Sequence, residues 1–151
     1  MAGIVGSFAS LRALKKQIDG MKSTAFNDAL GKRLGAVAIR LVADEFRAES
    51  DPYGRAWKKL SYRKGKILQL TGRLKNSFNS KPAPGGFALG TGVAYAAPHQ
   101  DGGGSDKQRP PQRMMIPTPA KGMPQKWARP LKIEADRFLE YWFKPVKAST
   151  T

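Results

Sequence analysis

The sequence predicts an α+β fold in which N-terminal helices, one of them long, pack on a small antiparallel β-sheet. Three observations support this prediction. Apolar side chains in the first 50 residues recur at spacings of three and four, as amphipathic helices require. A middle segment with a Pro- and Gly-containing turn is typical of a β-hairpin. A C-terminal amphipathic segment follows a long Gly/Pro-rich loop. We expect one domain over residues 1–151, because this length supports one modest core.

Two helices are predicted at the N-terminus. Ser7 can cap the first, and Gly20 ends or bends it. The second begins after Ser23 or Thr24 and ends before Pro52, because the residue preceding a proline is pushed out of the α region. One apolar stripe of the second helix comprises Phe26, Leu30, Leu34, Val37 and Leu41.

Two glycines, Gly31 and Gly35, lie four residues apart in the second helix. Glycine weakens a helix by about 1 kcal/mol relative to alanine. Glycines that the helix simply tolerates are the favoured interpretation, and close approach of another backbone is the alternative.

A turn is predicted at residues 51–54, where proline and glycine stand in suitable positions. Strands are predicted over residues 77–81 and 86–95, as in a hairpin. Val93 and Tyr95 alternate with smaller residues, which predicts one buried face for the second strand.

The segment 101–126 is predicted to be an extended loop or arm, with four glycines and five prolines. Loops longer than about 12–15 residues are uncommon in compact domains and tend to be functional or disordered. We hypothesise that neighbouring chains hold this arm and the C-terminal tail, residues 144–151. Between them, an amphipathic segment runs from about Leu131 until Pro145 stops it.

The net charge of +16 comes from 27 Lys and Arg against 11 Asp and Glu. Residues 52–100 hold nine basic residues and residues 107–133 hold seven, with no acidic residue in either stretch. Such a surface suits nucleic-acid phosphates or an acidic protein partner. The candidate basic contact surface comprises Arg55, Lys58, Lys59, Arg63, Lys64, Lys66, Arg73, Lys75, Arg109 and Arg113.

Tryptophans in polar, Pro- and Gly-rich surroundings are candidates for an interface, where tryptophan is enriched. We expect an interface role for Trp127, whereas for Trp57 an interface and the edge of a small core are equally open. The candidate assembly-interface residues are Trp57, Met114, Met115, Ile116, Trp127 and Trp142.

The sequence offers no catalytic, metal or cofactor site. His99 precedes Asp101 by two residues, but no nucleophile stands in a recognisable elbow, so a hydrogen-bonding histidine at a strand end is favoured. One histidine and no cysteine give no metal-ligand spacing and no disulfide. No apolar run approaches the roughly 20 residues of a membrane span, and the N-terminus lacks a signal-peptide pattern. We therefore expect a soluble, intracellularly made protein that is not an enzyme and needs no cofactor or membrane.

Several motifs in order resemble the bacteriophage virion-morphogenesis, or tail-completion, family. The resemblance spans roughly residues 26–140. Its pieces are the helical segment Phe26–Phe46 and the segments that follow it: Phe46-Arg47-Ala48-Glu49-Ser50-Asp51-Pro52-Tyr53-Gly54-Arg55-Ala56-Trp57-Lys58-Lys59-Leu60, Ile67-Leu68-Gln69-Leu70-Thr71-Gly72-Arg73-Leu74-Lys75-Asn76-Ser77-Phe78, Leu89-Gly90-Thr91-Gly92-Val93-Ala94-Tyr95-Ala96-Ala97-Pro98-His99-Gln100-Asp101-Gly102 and Ile116-Pro117. The family's usual Ala-Arg-Pro after Ile-Pro is replaced here by Thr118-Pro119-Ala120, with an Arg-Pro pair only at Arg129-Pro130.

The resemblance implies a ring-forming structural protein at the head–tail junction of a tailed phage, with a tail-completion, tail-terminator or connector role. A ring of six copies is expected, with twelve as the alternative. Implied partners are neighbouring neck, connector and tail-tube proteins, with genome DNA passing through the lumen. The implied locations are the virion and, during assembly, the host cytoplasm. Because lysines lining a lumen would slow a sliding genome, we expect the basic surface to face acidic proteins. A nonspecific DNA-binding or packaging-associated protein is the alternative function.

Overall fold

A computed structural model describes residues 8–102 and 110–144 of the chain. Within these residues it has four helices and one two-stranded antiparallel sheet, which confirms the predicted α+β fold. The elements are α1 (Phe8–Met21), α2 (Thr24–Ala48), β1 (Asn79–Ala83), β2 (Gly86–Gly90), α3 (Ala96–Asp101) and α4 (Gln125–Trp142). Short 3-10 turns lie at Lys75–Ser77 and Pro119–Lys121.

Helix α2 is the centre of the fold and has the predicted bounds. Its start is capped by Ser23, whose hydroxyl accepts a hydrogen bond from the Phe26 amide at 3.1 Å. Its end is marked by Glu49, which adopts the left-handed conformation at φ 52°. Ser7, the predicted cap of α1, lies outside the described residues. The buried apolar face of α2 forms the core together with Trp57, Ile67, Leu74, Phe78, Met115 and Trp127.

The hairpin packs directly on the two glycines of α2. Strands β1 and β2 pair in register from Asn79 opposite Gly90 to Ala83 opposite Gly86. A Cβ atom on Gly31 would overlap the Gly86 carbonyl oxygen, and one on Gly35 would overlap the Ser80 side chain. The favoured interpretation of these glycines as merely tolerated is therefore wrong: Gly31 allows the close approach of the hairpin backbone, and Gly35 makes room for the Ser80 side chain.

The second strand is shorter than predicted. Strand β2 ends at Gly90, because the Thr91 hydroxyl accepts a hydrogen bond from the Val93 amide at 3.1 Å and turns the chain. Val93 is half-buried and Tyr95 is 43% exposed, so the predicted alternation of a buried face is also wrong there.

Part of the predicted arm packs into the core of its own subunit. In residues 110–124, Met115 is buried and is held by Gln100 of α3. The Gln100 side chain accepts from the Met115 amide at 2.8 Å and donates to the Ile116 carbonyl at 2.8 Å. This packing places Met115 in the core of its own subunit, and the expected contact of the arm with neighbouring chains stays a prediction.

The remaining parts of the arm and tail stay predictions. Residues 103–109 lie outside the described residues, and so do residues 145–151 of the predicted tail, including Pro145. Helix α4 ends at Trp142, close to the predicted stop, but it begins at Gln125, six residues before the expected Leu131.

Helix α4 covers the side of α2 that carries Phe26. The Phe26 ring packs edge-on against Phe138 and Trp142, with ring centroids 5.3 Å apart in both pairs. The Arg33 guanidinium lies over the rings of Phe138 and Tyr141, at 5.5 and 5.1 Å. These contacts fix the C-terminal part of α4 against the first half of α2.

Candidate interaction surface

Two of the three candidate tryptophans, Trp57 and Trp127, lie in the core of the subunit. Trp57 is 4% exposed and its indole NH donates to the Met114 carbonyl at 3.0 Å. Trp127 is 2% exposed and its indole NH donates to the Glu45 carboxylate at 3.0 Å. The expected interface role of Trp127 is therefore corrected, because its side chain has almost no surface left for another chain.

The other candidate interface residues are of two kinds, buried and half-buried. Met114 and Met115 are buried, so they too are core residues rather than a free surface. Ile116 and Trp142 are half-buried and keep some exposed area. Ile116 lines an open apolar groove of about 370 Å³, with Phe78, residues 90–94, Ala96 and Ala97. Neighbouring chains can therefore contact Ile116 and Trp142 of the predicted set.

Glu45 is a buried charged residue that no sequence motif singles out. Its carboxylate accepts hydrogen bonds from the Lys126 ammonium at 2.7 Å, from the Trp127 indole at 3.0 Å and from the Ser50 hydroxyl at 3.4 Å. This network joins the end of α2 to the start of α4. No local pattern signals it, because two of the partners are more than 80 residues away in the chain.

Two further carboxylates shape the loops beyond α2. Asp51 accepts from the amides of Tyr53 and Arg55, both at 2.9 Å, and from the Arg55 guanidinium at 3.0 Å. These bonds confirm the predicted turn at residues 51–54. The Glu49 carboxylate accepts from the Ile67 amide at 2.7 Å. Together they hold the basic loops against the end of the helix.

Most of the candidate basic residues reach solvent. Arg63 and Lys75 are half-buried, and Arg109 lies outside the described residues. The exposed members are Arg55, Lys58, Lys59, Lys64, Lys66 and Arg73.

Arg113 is the exception, because it is a structural residue. It is 4% exposed, and its Nε and Nη2 donate to the Lys58 carbonyl at 3.0 and 2.9 Å. Its place in the predicted contact surface is therefore corrected. Burial lowers the pKa of the Arg113 guanidinium from its usual range.

His99 lies on α3 rather than at a strand end, which corrects the expected position. Its Nδ1 is buried and has no hydrogen-bond partner among the described residues. Burial and the neighbouring Arg113 charge lower the pKa of His99 below 6.5, against the effect of a hydrogen bond to the Pro111 backbone. The imidazole is therefore neutral at pH 7.

This lowered pKa predicts a loss of stability in mild acid. Well above pH 6.5 His99 is neutral in both the folded and the unfolded chain, so its protonation does not change the free energy of unfolding. As the pH falls below 6.5, the unfolded chain takes up the proton first, so the folded state loses stability until the folded pKa is reached. Urea denaturation at pH 7.5 and pH 5.5 measures the loss. His99→Asn should reduce the difference, and an unchanged difference would contradict the assignment to His99.

A basic groove lies where these loops meet, with a volume of about 460 Å³. Its walls combine aliphatic, aromatic and basic side chains. The lining residues are Leu60, Tyr62, Arg63, Leu68, Leu70, Thr71, Arg73, Tyr95 and His99. An adjoining recess of about 280 Å³ shares Tyr62 and His99 with it and is also lined by Lys58, Lys59 and Arg113.

Two further kinds of feature are absent from the described part of the chain. In residues 8–102 and 110–144, no group of three or more His, Asp or Glu side chains could hold a metal ion. No helix in the same residues has the length and apolar character needed to cross a membrane.

Comparison with known proteins identifies the family. A profile of the phage virion morphogenesis family matches residues 9–130. No curated protein and no solved structure matches the chain significantly. The matched span covers most of the chain, from the first helix through the hairpin, the basic loops and the start of α4. The resemblance noted in the sequence motifs is confirmed, and the chain belongs to the phage virion morphogenesis family.

Proposed function

We propose that this chain is a ring-forming subunit at the head–tail junction of a tailed phage, in a tail-completion, tail-terminator or connector role. Membership of the virion morphogenesis family gives it a structural or assembly role in the phage. The ring and its position at the junction are the proposal. The observation that carries it is the apolar face of α1, which the described residues leave exposed.

Helix α1 leaves a row of large apolar side chains in solvent. Leu14, Ile18 and Met21 are 52, 47 and 41% exposed, and their spacing of four and three places them on one face. Among the described helices and strands, α1 contacts only α2. A contiguous apolar face of this kind marks a protein–protein contact. A neighbouring copy of the chain is the partner that a ring supplies.

The proposal also covers the number of copies in the ring, its partners and its location. Six copies are expected, with twelve as the alternative, and neighbouring neck, connector and tail-tube proteins bind its two faces. Genome DNA passes through the lumen without specific recognition. The basic surface faces acidic proteins, and the chain acts structurally rather than as a catalyst. It resides in the virion after assembly in the host cytoplasm.

Removing the apolar face of α1 is expected to abolish self-association. In the variant Leu14→Gln/Ile18→Gln/Met21→Gln, each side chain becomes polar while helix propensity changes little. Native mass spectrometry of the purified chain, alone and with tail tubes, should show closed oligomers for wild type and monomers for the variant. Circular dichroism should be unchanged, because these side chains are already largely exposed.

A matched control changes polar positions of the same helix. Arg12→Gln/Lys16→Gln should assemble as wild type does, because both side chains are exposed away from the apolar row. Assembly of the apolar variant at wild-type level would contradict the proposed contact. Electron microscopy of virions carrying a labelled chain tests the position: density at the neck is expected, and density along the tail shaft would contradict it.

Nonspecific DNA binding is the second candidate function, favoured by the exposed lysines and arginines of residues 52–100, which contain no acidic residue. It predicts tight binding of a 30-bp duplex by the isolated chain, with affinity falling steeply as salt is raised. Weak binding at physiological salt is expected if the structural proposal is right.

A further inference from the structure

We propose that the basic groove binds an acidic segment of another virion protein, which inserts apolar side chains between its walls. This inference rests on the proposed function, because it assumes a structural neighbour in the virion. It is carried by the apolar side chains of the groove, by the fixed backbone of one wall and by the sign of the surrounding charge.

Large apolar side chains are concentrated at the mouth of the groove. Tyr62 is 78% exposed, Leu70 76% and Tyr95 43%. Leu60 and Leu68 are partly buried against the core and form a firmer floor. The volume of about 460 Å³ lies within the range of ligand-binding clefts. The groove can therefore take the apolar side chains of a docked segment, which would cover Tyr62 and Leu70.

One wall of the groove is fixed in a strained conformation. Leu68 has φ 57°, a region that bulky side chains rarely adopt. It stays there because both neighbours are tied to the end of α2: the Ile67 amide to Glu49 at 2.7 Å, and the Gln69 side chain to the Phe46 carbonyl at 2.7 Å. Strain that the surroundings enforce in this way is concentrated at binding sites. The wall is thus formed before any partner arrives.

The charge around the groove selects an acidic occupant. Arg63 and Arg73 line it, and Lys58 and Lys59 line the adjoining recess. The Arg63 guanidinium is oriented by hydrogen bonds to the carbonyls of Lys64 and Lys66, at 3.2 and 3.0 Å. No carboxylate between residues 52 and 100 offsets these charges.

The aliphatic walls favour a protein segment over nucleic acid. Nucleic-acid sites of low specificity stack bases on aromatic faces beside a basic track. Here three leucines, Leu60, Leu68 and Leu70, stand beside the two tyrosines. Leucine side chains pack well against the apolar side chains of a peptide, but they offer nucleic-acid bases no flat face for stacking.

A peptide array tests the proposal. Overlapping 15-residue peptides from the other structural proteins of the same phage would be probed with the purified full-length chain. The strongest binders should carry Asp or Glu around Leu, Phe or Trp. In solution, Tyr62→Ala/Leu70→Asn and Arg63→Glu/Arg73→Glu should each weaken the best peptide by about tenfold or more, measured by fluorescence anisotropy.

The matched control is Lys32→Glu/Lys81→Glu, which makes the same charge change on exposed residues of α2 and β1. Lys32 lies 14 residues before Phe46 on α2, about 21 Å away along the helix. This variant should weaken the peptide less than about threefold, which at 1.4 kcal/mol per tenfold marks a minor contact.

Four results would overturn the inference: no peptide binds, the best peptides are not acidic, the control weakens them equally, or a DNA oligonucleotide displaces them from the groove. Failure of the proposed function is read separately, from the electron microscopy of virions. Absence of the chain from the neck would contradict the proposed function but not the peptide binding. A neck location without peptide binding would contradict only the inference about the basic groove.

Discussion

Replacing Gly35 by alanine is expected to lower the free energy of unfolding by about 2 kcal/mol, because overpacking of this kind outweighs a gain of about 1 kcal/mol in helix propensity. The added Cβ would overlap the Ser80 hydroxyl and lie 2.7 Å from the Ser80 Cβ. Strand β1 would have to move away from α2, and the paired strand β2 would move with it. Urea denaturation followed by circular dichroism measures the change.

The structure also defines a specific rescue. Ser80→Gly removes both atoms that a Cβ on Gly35 would meet, and the next neighbour, the Phe87 Cβ, lies at an ordinary 3.8 Å. In the Ser80→Gly background, Gly35→Ala should therefore be close to neutral, and the double-mutant cycle should show a coupling of about 1–3 kcal/mol. Gly31→Ala should have no such rescue, because its obstacle is the backbone carbonyl of Gly86.

Gly20→Ala provides the control for helix propensity. Gly20 also lies in a helix, but a Cβ added there would meet no atom of the described residues within 4 Å beyond its own stretch of helix. The substitution should leave stability unchanged or raise it slightly. Equal effects of Gly35→Ala with and without Ser80 would mean that the hairpin does not pack on α2 as described.

Local patterns predicted the elements that depend on local physics. The apolar stripe and the Ser23 cap placed α2, and the Asp51 turn was recognised from its proline and glycine. The predicted second strand is too long, because the Thr91 hydroxyl competes for the Val93 amide just after Gly90. Hydrophobic alternation cannot report that competition.

The candidate site was predicted less well, because burial is decided by distant contacts. Trp127 and Met115 lie in polar, Pro-rich sequence, yet they pack in one core with residues of α2, more than 65 positions earlier in the chain. Arg113 is basic like its neighbours in sequence, but its guanidinium is used by the Lys58 carbonyl. The spacing of Gly31 and Gly35 in α2 is the one local signal of a distant contact. The helix sequence alone does not predict that the hairpin is the element that packs on these glycines.

The buried Glu45 is the second position where a single change should have a large effect. Glu45→Ala is expected to lower the free energy of unfolding by about 3 kcal/mol, because it leaves the buried indole NH of Trp127 without an acceptor and opens a void at the junction of α2 and α4. Glu45→Gln should have a smaller effect, since its amide oxygen can still accept from Trp127. Urea denaturation followed by tryptophan fluorescence measures both.

An exposed ion pair in α4 provides a control. It separates the effect of losing the buried Glu45 carboxylate from the effect of losing a carboxylate at the surface. Lys132 and Asp136 approach to 2.6 Å, but both side chains are more than half exposed, so Asp136→Ala should change stability by no more than about 0.5 kcal/mol. The Lys126 side chain is 42% exposed and its partner Glu45 is fully buried. Lys126→Ala should therefore be destabilising in wild type, where it leaves the carboxylate without its cation, and nearly neutral in the Glu45→Ala background. If Glu45→Ala lowered the free energy of unfolding no more than Asp136→Ala does, the Glu45 carboxylate would not be what binds α4 to the end of α2. Apolar packing around Phe46 and Trp127 would then stabilise that junction by itself.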